Sequence, residues 1–264
     1  MIFSERFLEG QVAVVTGGGT GIGLEIARLF AQLGARLVLA GRREDVLTAA
    51  AQALAAETGA EVLAVPTNVR EPEPCQRLVE ETVARFGRVD LLVNNAGANF
   101  VCPSVAISPN GWRSILSTVL DGTFYCSRYA GARMVEQGSG QIVSIVTPYA
   151  ETGAPGFLPS CTAKAGVVAL TRTLAAEWAQ FGVRVNAVSP GAVDSEGAGA
   201  RLWPTPEDKA KVLRDIPVGR MATALEVAQV TAFVVSPYAR FMNGSIVDMD
   251  GGQSLGRGIL SALT

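Results

Sequence analysis

Apolar residues fall along this chain in two alternating rhythms. Seven short runs rich in β-branched and aliphatic residues stand out: VAVVT (12–16), RLVLA (36–40), EVLAV (61–65), DLLVN (90–94), QIVSIV (141–146), VRVNAV (183–188) and SIVDM (245–249). Their near-continuous hydrophobicity predicts strands buried on both faces, as in a parallel sheet. Between them lie longer stretches of helical period, among them Ile22–Leu33, Glu44–Glu57, Pro74–Phe86 and Thr162–Phe181. Strict alternation of strand and helix implies right-handed crossovers. The pattern therefore predicts an α/β fold built on a doubly wound parallel sheet of about seven strands, with helices on both faces. No linker or repeat interrupts residues 1–264, so a single domain is expected. The one long irregular stretch, Gly191–Val218, follows a strand, where open α/β sheets place binding loops. It is a candidate substrate lid.

Composition narrows the chemistry. The net charge of −2 gives no electrostatic reason to expect a nucleic-acid or anionic-membrane partner. No apolar run reaches the roughly 18 residues of a membrane span, and MIFSERFLEG does not read as a signal peptide, so a cytoplasmic location is expected. Cys75, Cys102, Cys126 and Cys161 show no C-x-x-C spacing and read as buried free thiols. The chain contains no histidine. That excludes Ser-His-Asp and Cys-His catalytic sets and any His-ligated metal, leaving acid–base work to Tyr, Lys, Asp, Glu or a cofactor.

The first strand runs into the first helix through VVTGGGTGIGLEIA. Gly17, Gly21 and Gly23 permit positive φ and a close approach of backbone N–H groups to a pyrophosphate at the helix N-terminus. The turn lacks G-x-G-x-x-G spacing. Its T-G-x-x-x-G-x-G spacing resembles the short-chain dehydrogenase/reductase family, as do NNAG (94–97) and SPGAV (189–193), each at a strand's C-terminal end. The resemblance implies a Rossmann-type fold and a nicotinamide dinucleotide held by Gly17, Thr20, Gly21, Ile22, Gly23, Asn95, Ala96, Gly97, Pro190 and Gly191. The second strand ends LAGRRED, where an NAD site would want a carboxylate for the ribose 2′-hydroxyl. Arg42 and Arg43 stand there instead and suit a 2′-phosphate, so NADPH is the expected cofactor. Two arginines opening a solvated helix is the plainer reading. Asn68 and Val69, where the family usually begins with Asp, are expected beside the adenine.

Lys164 lies in TAKAGVVALTRTLAAEW. In the family such a lysine holds the nicotinamide ribose and acts on a tyrosine one helical turn earlier. Here that place is Ser160, Thr147 takes the usual serine's place, and Val119 stands where the family's helix asparagine would be. These departures fit either decay of the ordinary set or a different reaction, and a closer resemblance bears on the choice. SIVTPYAETGAPGFLPSCTAKAGVVALTRTLAAEW, NNAGANFVCPSVAISPNGW and VLDGTFYCS are similar to the 2,4-dienoyl-CoA reductase branch, from about Gly10 to Gln253. That branch carries its tyrosine in a Y-A-E-T-G motif, here Tyr149, a serine before the lysine, here Ser160, and a substrate-facing asparagine, here Asn99.

The resemblance implies NADPH-dependent reduction of a conjugated dienoyl thioester, in which hydride goes to a carbon far along the chain and charge collects on a thioester oxygen further from the nicotinamide, so its donors lie further away too. Tyr149 and Asn99 would hold that oxygen as a two-donor oxyanion site. Plainer readings stand beside these: Tyr149 as a half-buried aromatic, Asn99 as a loop-backbone partner and Ser160 as a helix N-cap. Asp121 departs from the branch, where Asn is more usual, and a buried carboxylate there needs a partner. Rival activities are trans-2-enoyl-CoA or acyl-carrier enoyl reduction, an ordinary ketone dehydrogenase with a displaced tyrosine, and a dinucleotide-binding module without turnover. Arg201, Lys209, Lys211 and Arg214 could give an acidic carrier or CoA phosphates a basic rim. The resemblance further implies a homotetramer or homodimer.

Overall fold

The computed structural model describes residues 6–195, 202 and 205–255. Strands β1 (Val12–Thr16), β2 (Arg36–Gly41), β3 (Val62–Pro66), β4 (Leu91–Asn94), β5 (Gly140–Ile145) and β6 (Val183–Pro190) alternate with helices α1 (Gly21–Gln32), α2 (Glu44–Thr58), α3 (Pro72–Phe86), α4 (Pro109–Leu116), α5 (Gly122–Gln137), α6 (Tyr149–Thr152) and α7 (Leu158–Trp178). Beyond β6 come β7 (Val193–Asp194), α8 (Pro206–Asp215), β8 (Ala222–Thr223), α9 (Ala224–Val235) and β9 (Ile246–Met249). The central sheet has seven parallel strands in the order β3-β2-β1-β4-β5-β6-β9. Six of these strands lie within one or two residues of the predicted bounds, and the seventh, β9, within one.

Alternation along each strand divides two cores. In β1, Ala13 and Val15 face Ile26, Phe30, Leu47 and Leu54, whereas Val12 and Val14 face Leu78, Phe86, Cys126 and Met134. Every residue of β1 is buried, as a strand covered on both faces requires. Strand order reverses between β1 and β4, which opens a crevice at the C-terminal ends of the strands.

Several local features differ from the sequence expectation. Helix α7 starts at Leu158, four residues early, because Pro159 in the first turn has no N–H to leave unsatisfied. Phe157 is its N-cap, so Ser160 is buried inside the first turn and is not the cap. Helices α4 and α5 run into one another through a π-helical segment, Ser117–Asp121, which buries Val119 and leaves Asp121 half-exposed. The lid stretch is not irregular throughout: it contains β7 and α8, and β7 pairs in parallel with β8 outside the main sheet. Its residues 196–201, 203 and 204 lie outside the described residues, Arg201 among them. No helix among the described residues is long and apolar enough to cross a membrane. Among the described residues no cluster of His, Cys, Asp and Glu could hold a metal.

Candidate functional site

Two adjoining cavities occupy the crevice. The first, about 380 Å³, lies above β1, β4, β5 and β6 and is lined by Gly17, Thr20, Gly21, Ile22, Asn95, Ala96, Gly97, Asn99, Tyr149, Ser160, Lys164, Pro190 and Gly191, with Ala98, Val119, Val146, Phe157 and Leu202 as apolar wall. The second, about 460 Å³, is lined by Gly17, Thr20, Arg42, Arg43, Asn68, Val69, Arg70, Ala96, Gly97 and Thr118. Gly17, Thr20, Ala96 and Gly97 line both, so the two form one elongated trough. Of the residues predicted for the site, only Gly23 lines neither cavity.

The glycine turn explains that exception. A Cβ on Gly23 would lie 2.4 Å from Gly17 O and 2.5 Å from Asn95 Nδ2, so Gly23 serves close packing of α1 beneath the turn. Gly21 has φ +56° and open space where a side chain would go, apart from Ser195 Cβ at 4.0 Å, so its backbone faces the trough. The turn is fixed from β4. Asn95 Nδ2 donates to Thr16 O at 3.0 Å and to Gly17 O at 3.3 Å. Thr16 Oγ1 accepts from Asn95 N and Ala96 N, each at 3.0 Å, and donates to Val93 O. The Asn95 amide is thus committed to protein, while its neighbours keep the floor of the trough open. Thr16 is the threonine that opens the T-G-x-x-x-G-x-G spacing, and its role in fixing the turn to β4 was not anticipated from the sequence.

At the far end, Arg42 and Arg43 are exposed at the cavity rim, with Arg43 as N-cap of α2. Asn68 Nδ2 donates to Glu71 Oε1 at 2.6 Å, so its amide is already engaged. Arg70, a third guanidinium absent from the sequence reading, donates from Nε to Thr118 Oγ1 at 2.7 Å. These residues fit a nicotinamide dinucleotide: one continuous trough, backbone exposed at a helix N-terminus for the pyrophosphate, and cations at one end.

At the near end, Lys164 stands in the second turn of α7 and its ammonium donates to Ile145 O. Burial without a paired carboxylate lowers its pKa from 10.5 to about 8. Tyr149 begins α6, and its ring stacks on Phe157 with centroids 6.3 Å apart and planes 13° from parallel. Its phenol pKa is raised, by burial first and then by the charges of Asp215, Cys161 and Asp250. Asn99 Oδ1 accepts from Phe100 N at 2.9 Å. That bond satisfies loop backbone, as the plainer reading expects, and leaves the amide NH₂ as the end available to a ligand. Val119, the residue in place of the family's asparagine, closes the cavity floor with hydrocarbon.

The expected basic rim is not net basic on α8. Lys209 pairs with Asp194 at 2.9 Å and Lys211 with Asp208 at 3.7 Å, and Glu207 and Asp215 on the same helix offset Arg214. Cys75 and Cys126 are buried side by side with sulfurs 3.6 Å apart, and all four cysteines are free.

A family model described as "Enoyl-(Acyl carrier protein) reductase" matches residues 17–254. A Bacillus subtilis (strain 168) protein named "Probable 2,4-dienoyl-CoA reductase [(2E)-enoyl-CoA-producing]" is 36% identical over 250 residues, covering 94% of this chain and 98% of that one. A Caenorhabditis elegans protein named "Probable 2,4-dienoyl-CoA reductase 3 [(3E)-enoyl-CoA-producing]" is 40% identical over 256 residues, covering 96% and 83%. The crystal structure of a short chain dehydrogenase from Bacillus anthracis superposes with a TM-score of 0.85 at 37% identity, covering 95% and 99%.

Proposed function

The chain belongs to the short-chain dehydrogenase/reductase family, and from that premise we propose that it reduces a conjugated 2,4-dienoyl-CoA, or a related enoyl thioester, at the expense of NADPH. One observation carries the reading. The phenol in the cavity, Tyr149, sits on α6 and not on the lysine helix, facing a cavity that also presents the Asn99 amide and is otherwise walled with hydrocarbon.

When bound, the reduced nicotinamide supplies hydride. Gly17, Thr20, Gly21 and Gly97 would hold its pyrophosphate, Arg42 and Arg43 its 2′-phosphate, and Lys164 its nicotinamide ribose. Tyr149 O–H and Asn99 N–H hold the thioester oxygen, on which negative charge collects as the chain accepts hydride. Hydrocarbon at Val119, Val146 and Phe157 keeps water from that oxygen, which strengthens both hydrogen bonds. Tyr149 keeps its proton at neutral pH, because burial and the nearby carboxylates hold its pKa above the usual phenol value. A chain carbon is then protonated from water, giving a 3-enoyl-CoA.

The enoyl alternative is favoured by the description of the matching family model, and it uses the same two donors. Both are tested by NADPH consumption with a 2,4-dienoyl-CoA, a 2-enoyl-CoA and a β-ketoacyl-CoA, with the product double bond located. Tyr149→Phe and Asn99→Ala should each lower kcat on the preferred thioester by about 10²–10³. Ketone turnover that is indifferent to Asn99→Ala would instead identify a ketone dehydrogenase with a displaced tyrosine.

A further inference from the structure

Tyr149 has a slight mount. It opens α6, a helix of four residues that buries none of them, and Glu151, Thr152 and Gly153 behind it are exposed. One helical turn with so little buried surface opens easily by itself. The aromatic ring beside it belongs to a firmer element. Phe157 is the N-cap of α7, a helix of 21 residues that packs on β6. Its backbone is bonded on both sides: Phe157 N donates to Ala154 O at 3.1 Å, and Phe157 O accepts from Cys161 N at 2.9 Å. The first of these bonds closes the turn Ala154-Pro155-Gly156-Phe157, where proline in the second place and glycine at φ +84° in the third meet the requirements of type II. Gly156 O in turn accepts from Cys102 N at 3.0 Å, and a Cβ on Gly156 would lie 3.1 Å from Val101 Cγ1. Phe157 is thus fixed both to α7 and to the segment that carries Asn99.

The rings of Tyr149 and Phe157 lie 13° from parallel with centroids 6.3 Å apart, the geometry of an offset stack, and both line the cavity that Asn99 lines. A phenol oxygen lies on the axis of its ring, and its O–H prefers the ring plane. The attitude of the ring therefore decides where the proton is offered. Rotation about χ1 carries the oxygen across the cavity, and rotation about χ2 turns the plane of the O–H. A second aromatic face laid against the first opposes both. We infer that Phe157 is a positioning residue: by stacking on Tyr149 it sets the phenol so that its O–H meets the same oxygen as the Asn99 amide, an inference that rests on the donor role proposed for Tyr149. An aliphatic side chain of similar size would still fill the cavity wall, but it has no face with which to hold a ring plane. Such alignment matters most in the transition state, since a displacement of about 1 Å can cost on the order of a hundredfold in rate.

The test places Phe157→Leu and Phe157→Met, both apolar and without a ring, in the parent, in Tyr149→Phe and in Asn99→Ala. Urea unfolding checks that each protein is folded, and kcat and KM are measured with NADPH on whichever of a 2,4-dienoyl-CoA and a 2-enoyl-CoA the parent prefers. In the parent, each substitution should lower kcat about tenfold, the upper end of what an aromatic pair contributes beyond burial, with KM within about twofold. In Tyr149→Phe, which keeps the ring but has no O–H to aim, either should cost less than about twofold more. In Asn99→Ala, where the phenol remains, the loss of about tenfold should persist. A loss that persists undiminished in Tyr149→Phe, or vanishes in Asn99→Ala, or shows as a raised KM at unchanged kcat, would mean that Phe157 only walls the cavity and would overturn the inference. Full activity in Tyr149→Phe would instead remove the donor role itself, so the two failures are separable.

Discussion

Replacing Lys164 by methionine should raise stability and abolish function in the same molecule. The ammonium donates to one carbonyl, Ile145 O, and among the described residues no carboxylate is paired with it. Burial lowers its pKa from 10.5 to about 8. At 1.36 kcal/mol per pH unit that gap is about 3 kcal/mol, borne by the folded protein while the lysine is protonated in both states. Losing the single hydrogen bond returns about 1 kcal/mol, so Lys164→Met should stabilise the cofactor-free protein by about 2 kcal/mol at pH 7. The pH dependence fixes the cause. Between about 8 and 10.5 the unfolded chain holds the proton and the folded protein does not, so the parent gains stability as pH rises through that window. The advantage of methionine is thus full below about pH 8 and gone near 10.5. Urea unfolding at pH 7 and pH 10 reads both values, and NADPH titration of the same samples should show weaker binding. A methionine protein less stable than the parent at pH 7, or an advantage equal at both pH values, would refute the reasoning.

Two further outcomes are expected. Arg42→Ala and Arg43→Ala should each raise KM for NADPH by about tenfold to a hundredfold, the scale of a charge-assisted hydrogen bond, while KM for NADH stays near the parent value. Thr16→Val removes the acceptor of two backbone N–H groups, Asn95 N and Ala96 N, and should cost about 2 kcal/mol in urea unfolding, with Thr16→Ser restoring most of it.

The sheet was legible because its strands are buried on both faces, and continuous apolar runs admit few other interpretations. The glycine turn was legible in outline but not in its division of labour. Gly21 faces the trough while Gly23 packs beneath it, a distinction set by Asn95, a residue more than seventy positions away. Helix α7 was read late because Pro159 and the polar residues after it look like a start signal, whereas proline in the first turn lies inside the helix. Helix α8 was hidden in a stretch without apolar period, since it is exposed and buries no residue fully. Arg70 had no local signature, because it acts through Thr118, a partner brought close only by the fold.

The positions where the chain departs from the ordinary family pattern fit one physical requirement. A ketone reductase needs its proton donor beside the carbon that takes hydride, which is why lysine and tyrosine share a helix face. In that arrangement the lysine's charge lowers the phenol pKa and the proton is handed over. Here the tyrosine stands on a separate short helix and its pKa is raised, so in the proposed mechanism it donates a hydrogen bond at neutral pH and is a poor source of a proton. Such a group suits an oxygen that carries charge without being protonated, as a thioester enolate does. The positions where the ordinary family pattern has its tyrosine and asparagine carry no acid: Ser160 is buried in the helix and Val119 is hydrocarbon. Restoring tyrosine at 160 would place a bulky phenol where the structure has a buried serine. It should therefore fail to convert the protein to ketone reduction unless Val119 and Phe157 are also made smaller, an outcome read directly from β-ketoacyl-CoA turnover by the single and triple variants.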